Sequence, residues 1–86
     1  MRLDKYLKVS RIIKRRTVSK DIVLLGSVSV NGRIVKPAYD VKIGDKIKMR
    51  LGPKEIQIEV LSLNDKVKKE ESSSLYRVIS ETIVEE

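Results

Sequence analysis

Residues 15–32, RRTVSKDIVLLGSVSVNG, restrict the fold more than any other stretch of this chain. Val18, Ile22 and Leu25 fall at i, i+4 and i+7, which predicts a short helix with one apolar stripe. Arg16 and Lys20 lie one turn apart on a different side of that helix. Thr17 reads as its N-cap or as part of its first turn. Gly26 stands where a helix end calls for left-handed backbone, a conformation that costs little without a Cβ. Ser27 to Val30 then alternates with period two and runs into Asn31-Gly32, a strong hairpin signal. A helix-turn-strand unit this compact displays cations on a fixed surface, which makes it a binding element rather than a catalytic one.

The charge supports that reading because it is polarised. Residues 1–20 carry eight Lys/Arg and one acid; residues 1–54 carry fifteen against four, and residues 55–86 four against eight. Solubility alone needs no such asymmetry, whereas a surface that binds a polyanion does. The chain has no Cys and no His, which removes disulfides, thiolate zinc sites and the commonest acid-base group. Charges interrupt every apolar run, so neither a signal peptide nor the ~20 apolar residues of a membrane span is expected. A cytoplasmic protein without membrane, metal or cofactor follows as the expectation.

Along the chain, Leu3, Tyr6 and Leu7 at i, i+3 and i+4 predict a first helix over residues 2–8, too short to stand without docking. Its natural partner is the Val18/Ile22/Leu25 face. Asp4, the lone acid among these cations, suits an ion pair or the first helical turn. In the link that follows, Ile12 and Ile13 are expected to plug the core, with Ser10, Arg11 and Lys14 near the surface. Arg33-Ile34-Val35 returns as a strand ended by Pro37, and Gly44-Asp45 marks a turn. Lys46 to Leu51 alternates, with Ile47, Met49 and Leu51 on one face; Glu55 to Leu63 alternates again through Ile56, Ile58 and Val60. One wet face per strand predicts an antiparallel sheet. Residues 64–74 read as a loop or a short helix opening at Asn64 or Asp65, with some helix favoured. Leu75 to Val84 is expected to be a last strand pairing back on 55–63.

Catalysis has little support. Glu70/Glu71 and Glu85/Glu86 have nothing to bury or tune them, and the Ser72–Ser74 run has no histidine to activate it. The candidate functional residues are therefore cations: Arg2, Lys5, Lys8, Arg11, Lys14, Arg15, Arg16 and Lys20 on the two helices and their link. Such groups contact phosphates and give affinity that depends steeply on salt. Asn31 and Arg33 on the hairpin are expected to add contacts, although turn chemistry is the first reason for an Asn at position 31. Tyr39, on a loop, is a better base-stacking candidate than Tyr6, which shares the core stripe.

These residues carry a resemblance. Arg2-Leu3-Asp4 with Leu7, Arg16-Thr17 with Ile22, Gly26, Val28-Ser29-Val30-Asn31-Gly32 and Gly44-Asp45 together resemble the S-four RNA-binding domain over residues 2–51. Ser19 departs from the small apolar residue common there, and no packing loss is expected from it. The resemblance implies an α+β fold: two short N-terminal helices on a small bent antiparallel sheet, here with an extra C-terminal strand. It also implies one domain over 1–86, with the RNA-binding module at 2–51 and a sheet extension and tail at 52–86. With its KKEE…LYRVI tail, the chain is similar to the RqcP family of small ribosome-associated proteins, relatives of the ribosome-associated fifteen-kilodalton heat-shock protein. The shorter tail argues against that relative's long second RNA-binding arm.

That likeness implies a monomeric, non-enzymatic factor on large ribosomal subunits blocked by peptidyl-tRNA. It would contact large-subunit ribosomal RNA and the tRNA, and support alanine tailing by the factor RqcH. A structural ribosome-associated protein and a regulator of one RNA are the alternatives. An RNA-modifying enzyme is disfavoured because the catalytic domain that accompanies such modules is missing.

Overall fold

The computed structural model describes residues 1–12, 23, 26–51 and 53–83. Helix α1 spans Leu3–Val9, and strands follow at Val28–Val30 (β1), Arg33–Ile34 (β2), Lys46–Leu51 (β3), Lys54–Val60 (β4) and Tyr76–Ile83 (β5), with a 3-10 helix at Lys69–Leu75 before the last. The strands form one antiparallel sheet in the order β2-β1-β3-β4-β5. This is the α+β architecture expected from the sequence. The predicted second helix, with Val18, Ile22 and Leu25, and Ile13 of the link lie outside the described residues. Val23 within that stretch is helical and buried.

The N-terminus of α1 has no side-chain cap. Neighbouring backbone takes over: Leu3 N–H donates to the Tyr39 carbonyl at 2.8 Å and Asp4 N–H to the Pro37 carbonyl at 3.2 Å. Lys5 N–H donates to Asp4 Oδ1 at 2.8 Å. Helix-end donors that would otherwise lack partners are thus satisfied, and the helix is tied to the 37–40 loop. Leu3, Tyr6 and Leu7 are fully buried against the inner sheet face of Val28, Val30, Ile47, Met49, Ile58 and Val60. The i, i+3, i+4 reading of the helix therefore holds, as does the alternation of β3 through Ile47 and Met49 and that of β4, while the side chain of Leu51 lies outside the description.

Ser10 corrects the sequence reading, which put it near the surface. It is 1% exposed, and its hydroxyl donates to the Leu7 carbonyl at 3.2 Å. The helix runs one residue further than predicted, so Ser10 continues the Leu3/Tyr6/Leu7 stripe at i+7 and turns inward. A small hydroxyl that bonds its own helix tolerates that burial. Arg11 then leaves the helix at φ 60°, where its N–H donates to the Lys8 carbonyl. Ile12 packs partly buried on the core, as expected.

β4 stops at Val60, short of the predicted Leu63, because the N–H groups of Leu61 and Ser62 both turn to the Leu75 carbonyl. The helix expected from Asn64 or Asp65 begins only at Lys69. Asn64 Oδ1 accepts instead from Lys66 N–H at 3.0 Å, closing a local turn that competes with helix. β5 pairs with β4 as expected, with a register irregularity at Gln57/Ile58. Ile79 has no register partner there, and Val78, Ile79 and Ile83 remain exposed.

Gly26 sits at φ 76°, and a Cβ added there would meet Ile34 Cδ1 at 3.9 Å, an ordinary contact. The cost of Gly26→Ala is thus backbone strain without a clash, about 1 kcal/mol. Its thermal midpoint is expected to fall by roughly 4–8 °C in a domain of this size. Unchanged thermal unfolding would show that the chain relaxes away from the left-handed turn.

Candidate nucleic-acid interface

Burying the Leu3/Tyr6/Leu7/Ser10 stripe turns Lys5 and Lys8 to the solvent side of α1, with Arg2 exposed at its N-cap and Arg11 exposed just past its end. Arg2 is held by a two-pronged contact, its Nε and Nη2 donating to Asp4 Oδ1 and Oδ2 at 3.1 and 3.2 Å. That fork steers the guanidinium while leaving it exposed. Lys5 donates from Nζ to Asp65 Oδ2 at 3.0 Å, across sixty positions of sequence. The ammonium holds the Asp65 carboxyl below the usual carboxylate range. Lys8 and Arg11 are exposed and make no ion pair with any described residue. Lys14, Arg15, Arg16 and Lys20 lie outside the described residues. Of the eight candidates on the predicted helices and their link, four are therefore described, all exposed, and two of them are paired with an acid.

The hairpin supplies the rest. Asn31 and Gly32 both have positive φ, 52° and 84°, as the Asn-Gly signal required. Asn31 Oδ1 accepts from Lys46 N–H at 3.0 Å, while its Nδ2 donates to Asp45 Oδ1 at 3.0 Å. Asn31 is thus first a turn residue, as expected. Arg33, on the edge strand β2, is exposed and stands in register with Val30. Exposed Lys36 and Lys42 lie on the neighbouring loops and extend the cationic character beyond the residues singled out from the sequence.

Asp45 is the residue that the sequence did not reveal as an organiser. Its carboxylate is 8% exposed; Oδ2 accepts from the Tyr39 hydroxyl at 3.1 Å and from Lys42 N–H at 3.0 Å. Desolvation first, and the hydrogen bond to Asp45 second, raise the Tyr39 phenol above its ordinary pKa. The proposed stacking residue therefore has its ring against the core and its hydroxyl engaged. Gly44-Asp45 signals a turn in the sequence, but its three partners lie 3 to 14 positions away and converge only in the fold.

The outer face of the sheet differs in kind. Lys48 pairs with Glu55 at 3.2 Å and Arg77 with Glu59, so opposite charges interleave across the strands. A shallow hollow of about 440 Å³ opens there, lined by Ser27, Ser29, Ile34, Lys48 and Glu55 among others. Among the described residues, no group of His, Cys, Asp or Glu side chains is arranged to hold a metal ion. None of the described helices is long and apolar enough to cross a membrane.

Comparison with known proteins agrees with this geometry. The S4 domain family matches residues 1–47. A protein of Streptococcus pneumoniae named "RQC P-site tRNA stabilizing factor" is 51% identical over 86 residues, covering 100% of this chain and 98% of that protein. A protein of Bacillus subtilis with the same name is 47% identical over 81 residues and covers 94% of each chain. Among solved structures, Heat Shock Protein 15 of Vibrio cholerae, described as trimeric, superposes with a TM-score of 0.85 at 34% identity, over 93% of this chain and 82% of that one. The matched family, the near full-length relatives and the helix-on-sheet architecture converge, and the chain belongs to the S4 domain family.

Proposed function

We propose that this protein is an RNA-binding factor of ribosome quality control. It binds large ribosomal subunits still occupied by peptidyl-tRNA and contacts both ribosomal RNA and the tRNA. The observation that carries the reading is the set of exposed cations Lys5 and Lys8 on α1, Arg2 at its N-cap and Arg11 just past its end, around a helix whose other side is locked into the core. The chain's full-length likeness to proteins named for stabilizing a P-site tRNA points these cations at that ligand. Lys14, Arg15, Arg16 and Lys20 extend the same basic stretch in the sequence, and Asn31 and Arg33 of the hairpin add further candidates for contact.

Mechanistically, the protein acts without catalysis, as a cytoplasmic monomer. A ligand shifts an equilibrium only by its differential affinity for the states involved. A rigid cationic face that fits the tRNA best in one position raises the population of that position. In this reading the favoured position is the one from which RqcH adds the next C-terminal alanine to the stalled chain.

Gradient sedimentation of tagged protein from cell lysate, with each fraction probed for peptidyl-tRNA, tests the proposal. Enrichment on large subunits that retain peptidyl-tRNA is expected. Even distribution over intact ribosomes would replace the proposal with a structural ribosomal role, and absence from every ribosomal fraction would overturn it.

A further inference from the structure

Asp45 is a buried carboxylate apart from the cations around α1, and it joins three separate segments of backbone. It receives Asn31 Nδ2 from the β1–β2 turn, the Tyr39 hydroxyl from the loop that caps α1, and Lys42 N–H from its own turn. Its main chain is anchored as well, since Val60 N–H donates to the Asp45 carbonyl at 2.9 Å. We propose that Asp45 is a positioning residue for RNA binding: without touching RNA, it sets the pose of the 31–33 turn that presents Asn31 and Arg33. This rests on the RNA-binding reading above.

The hydrogen-bond polarity of the tether makes the idea testable. Lys46 N–H can only donate, so it requires Oδ1 of Asn31, and this leaves Nδ2 to face Asp45. In Asp45→Asn, one oxygen can still accept from Tyr39 and Lys42, but an amide N–H₂ then faces Nδ2 of Asn31, donor against donor. Flipping Asn31 merely moves the conflict to Lys46 N–H. The substitution is nearly isosteric, yet it releases the turn while leaving the other two contacts in place. The swap Asn31→Asp with Asp45→Asn restores the whole pattern. Asp at position 31 accepts from both Lys46 N–H and the new amide, the net charge is that of the wild type, and Asp tolerates positive φ as Asn does.

The experiment titrates isolated large subunits carrying peptidyl-tRNA with wild type, Asp45→Asn and the swap, over a range of salt concentrations. The temperature is one at which circular dichroism finds all three folded. Asp45→Asn is expected to bind about tenfold more weakly and to lose roughly one unit of log–log salt slope, the signature of one lost phosphate contact. The swap is expected to recover both. A merely structural residue would lower the thermal midpoint without changing the slope. Wild-type binding by Asp45→Asn, or a swap that regains its thermal midpoint but stays weak, would overturn the inference. Should Asp45→Asn fail to fold, Asn31→Gly keeps the positive-φ turn and cuts the same tether; wild-type affinity and slope in that variant would also overturn it. If the wild type itself does not bind these subunits, the functional reading fails, and the inference with it.

Discussion

Tyr6→Ala is expected to lower the thermal midpoint by roughly 15–30 °C, enough to leave much of the protein unfolded at growth temperature. Tyr6 is fully buried and packs in the middle of the α1 stripe. Truncating a buried aromatic to alanine costs about 3–5 kcal/mol, through lost transfer energy and the cavity left behind. A domain of this length has roughly 4–13 kcal/mol of total stability, so one side chain accounts for a large part of it. Tyr6→Phe separates the hydroxyl from the ring. The hydroxyl donates to the Leu75 carbonyl at 2.7 Å, but that carbonyl also accepts from Leu61 and Ser62 N–H. Losing the hydroxyl leaves no orphan acceptor, and a cost of only about 1 kcal/mol is expected. Thermal unfolding followed by circular dichroism checks both; a drop of under ~5 °C in Tyr6→Ala would mean that the site collapses to fill the cavity.

The same residue makes the fold sensitive to alkali. Desolvation, with a smaller contribution from Tyr76, raises the Tyr6 phenol well above its ordinary 10.0. Above about pH 10 the unfolded chain gives up this proton while the folded chain keeps it, so stability falls as pH rises. Below that pH both states are protonated and the contribution is fully present. Tyr39 shifts in the same direction. Tyr6→Phe is expected to flatten part of the alkaline decline, as read from thermal midpoints across that range.

Replacing Arg2, Lys8 and Arg11 together with Gln is expected to weaken binding to blocked large subunits on the order of a hundredfold and to lower the log–log salt slope by about two to three. All three side chains are exposed, and the only ion pair removed among described residues is the Arg2–Asp4 fork. Surface pairs of that kind contribute about 0–1 kcal/mol, so the fold should persist. Lys48→Gln, on the charge-interleaved outer face, is the control and should leave the slope unchanged. An unaltered slope in the triple variant would remove α1 from the interface.

Features that depend on residues a few positions apart were legible in the chain before any fold was known. The Leu3/Tyr6/Leu7 stripe, the alternation of Lys46–Arg50 and the positive φ at Gly26, Asn31 and Gly32 are local periodicities and local backbone limits, and each appears where it was read. The exposure of Lys5 and Lys8 follows from the same stripe, because burying one side of a helix presents the other. Contacts that close over long separations emerge with the folded chain alone. Tyr6 meets Leu75 across 69 positions, Lys5 meets Asp65 across 60, and Asn31 meets Asp45 across 14. Strand register and the path of the 61–75 return choose these partners, and no short-range pattern encodes either. Ser10 shows how narrow the boundary is. One added residue of helix carries a polar side chain from the surface into the core, because each step turns the helix by about 100°.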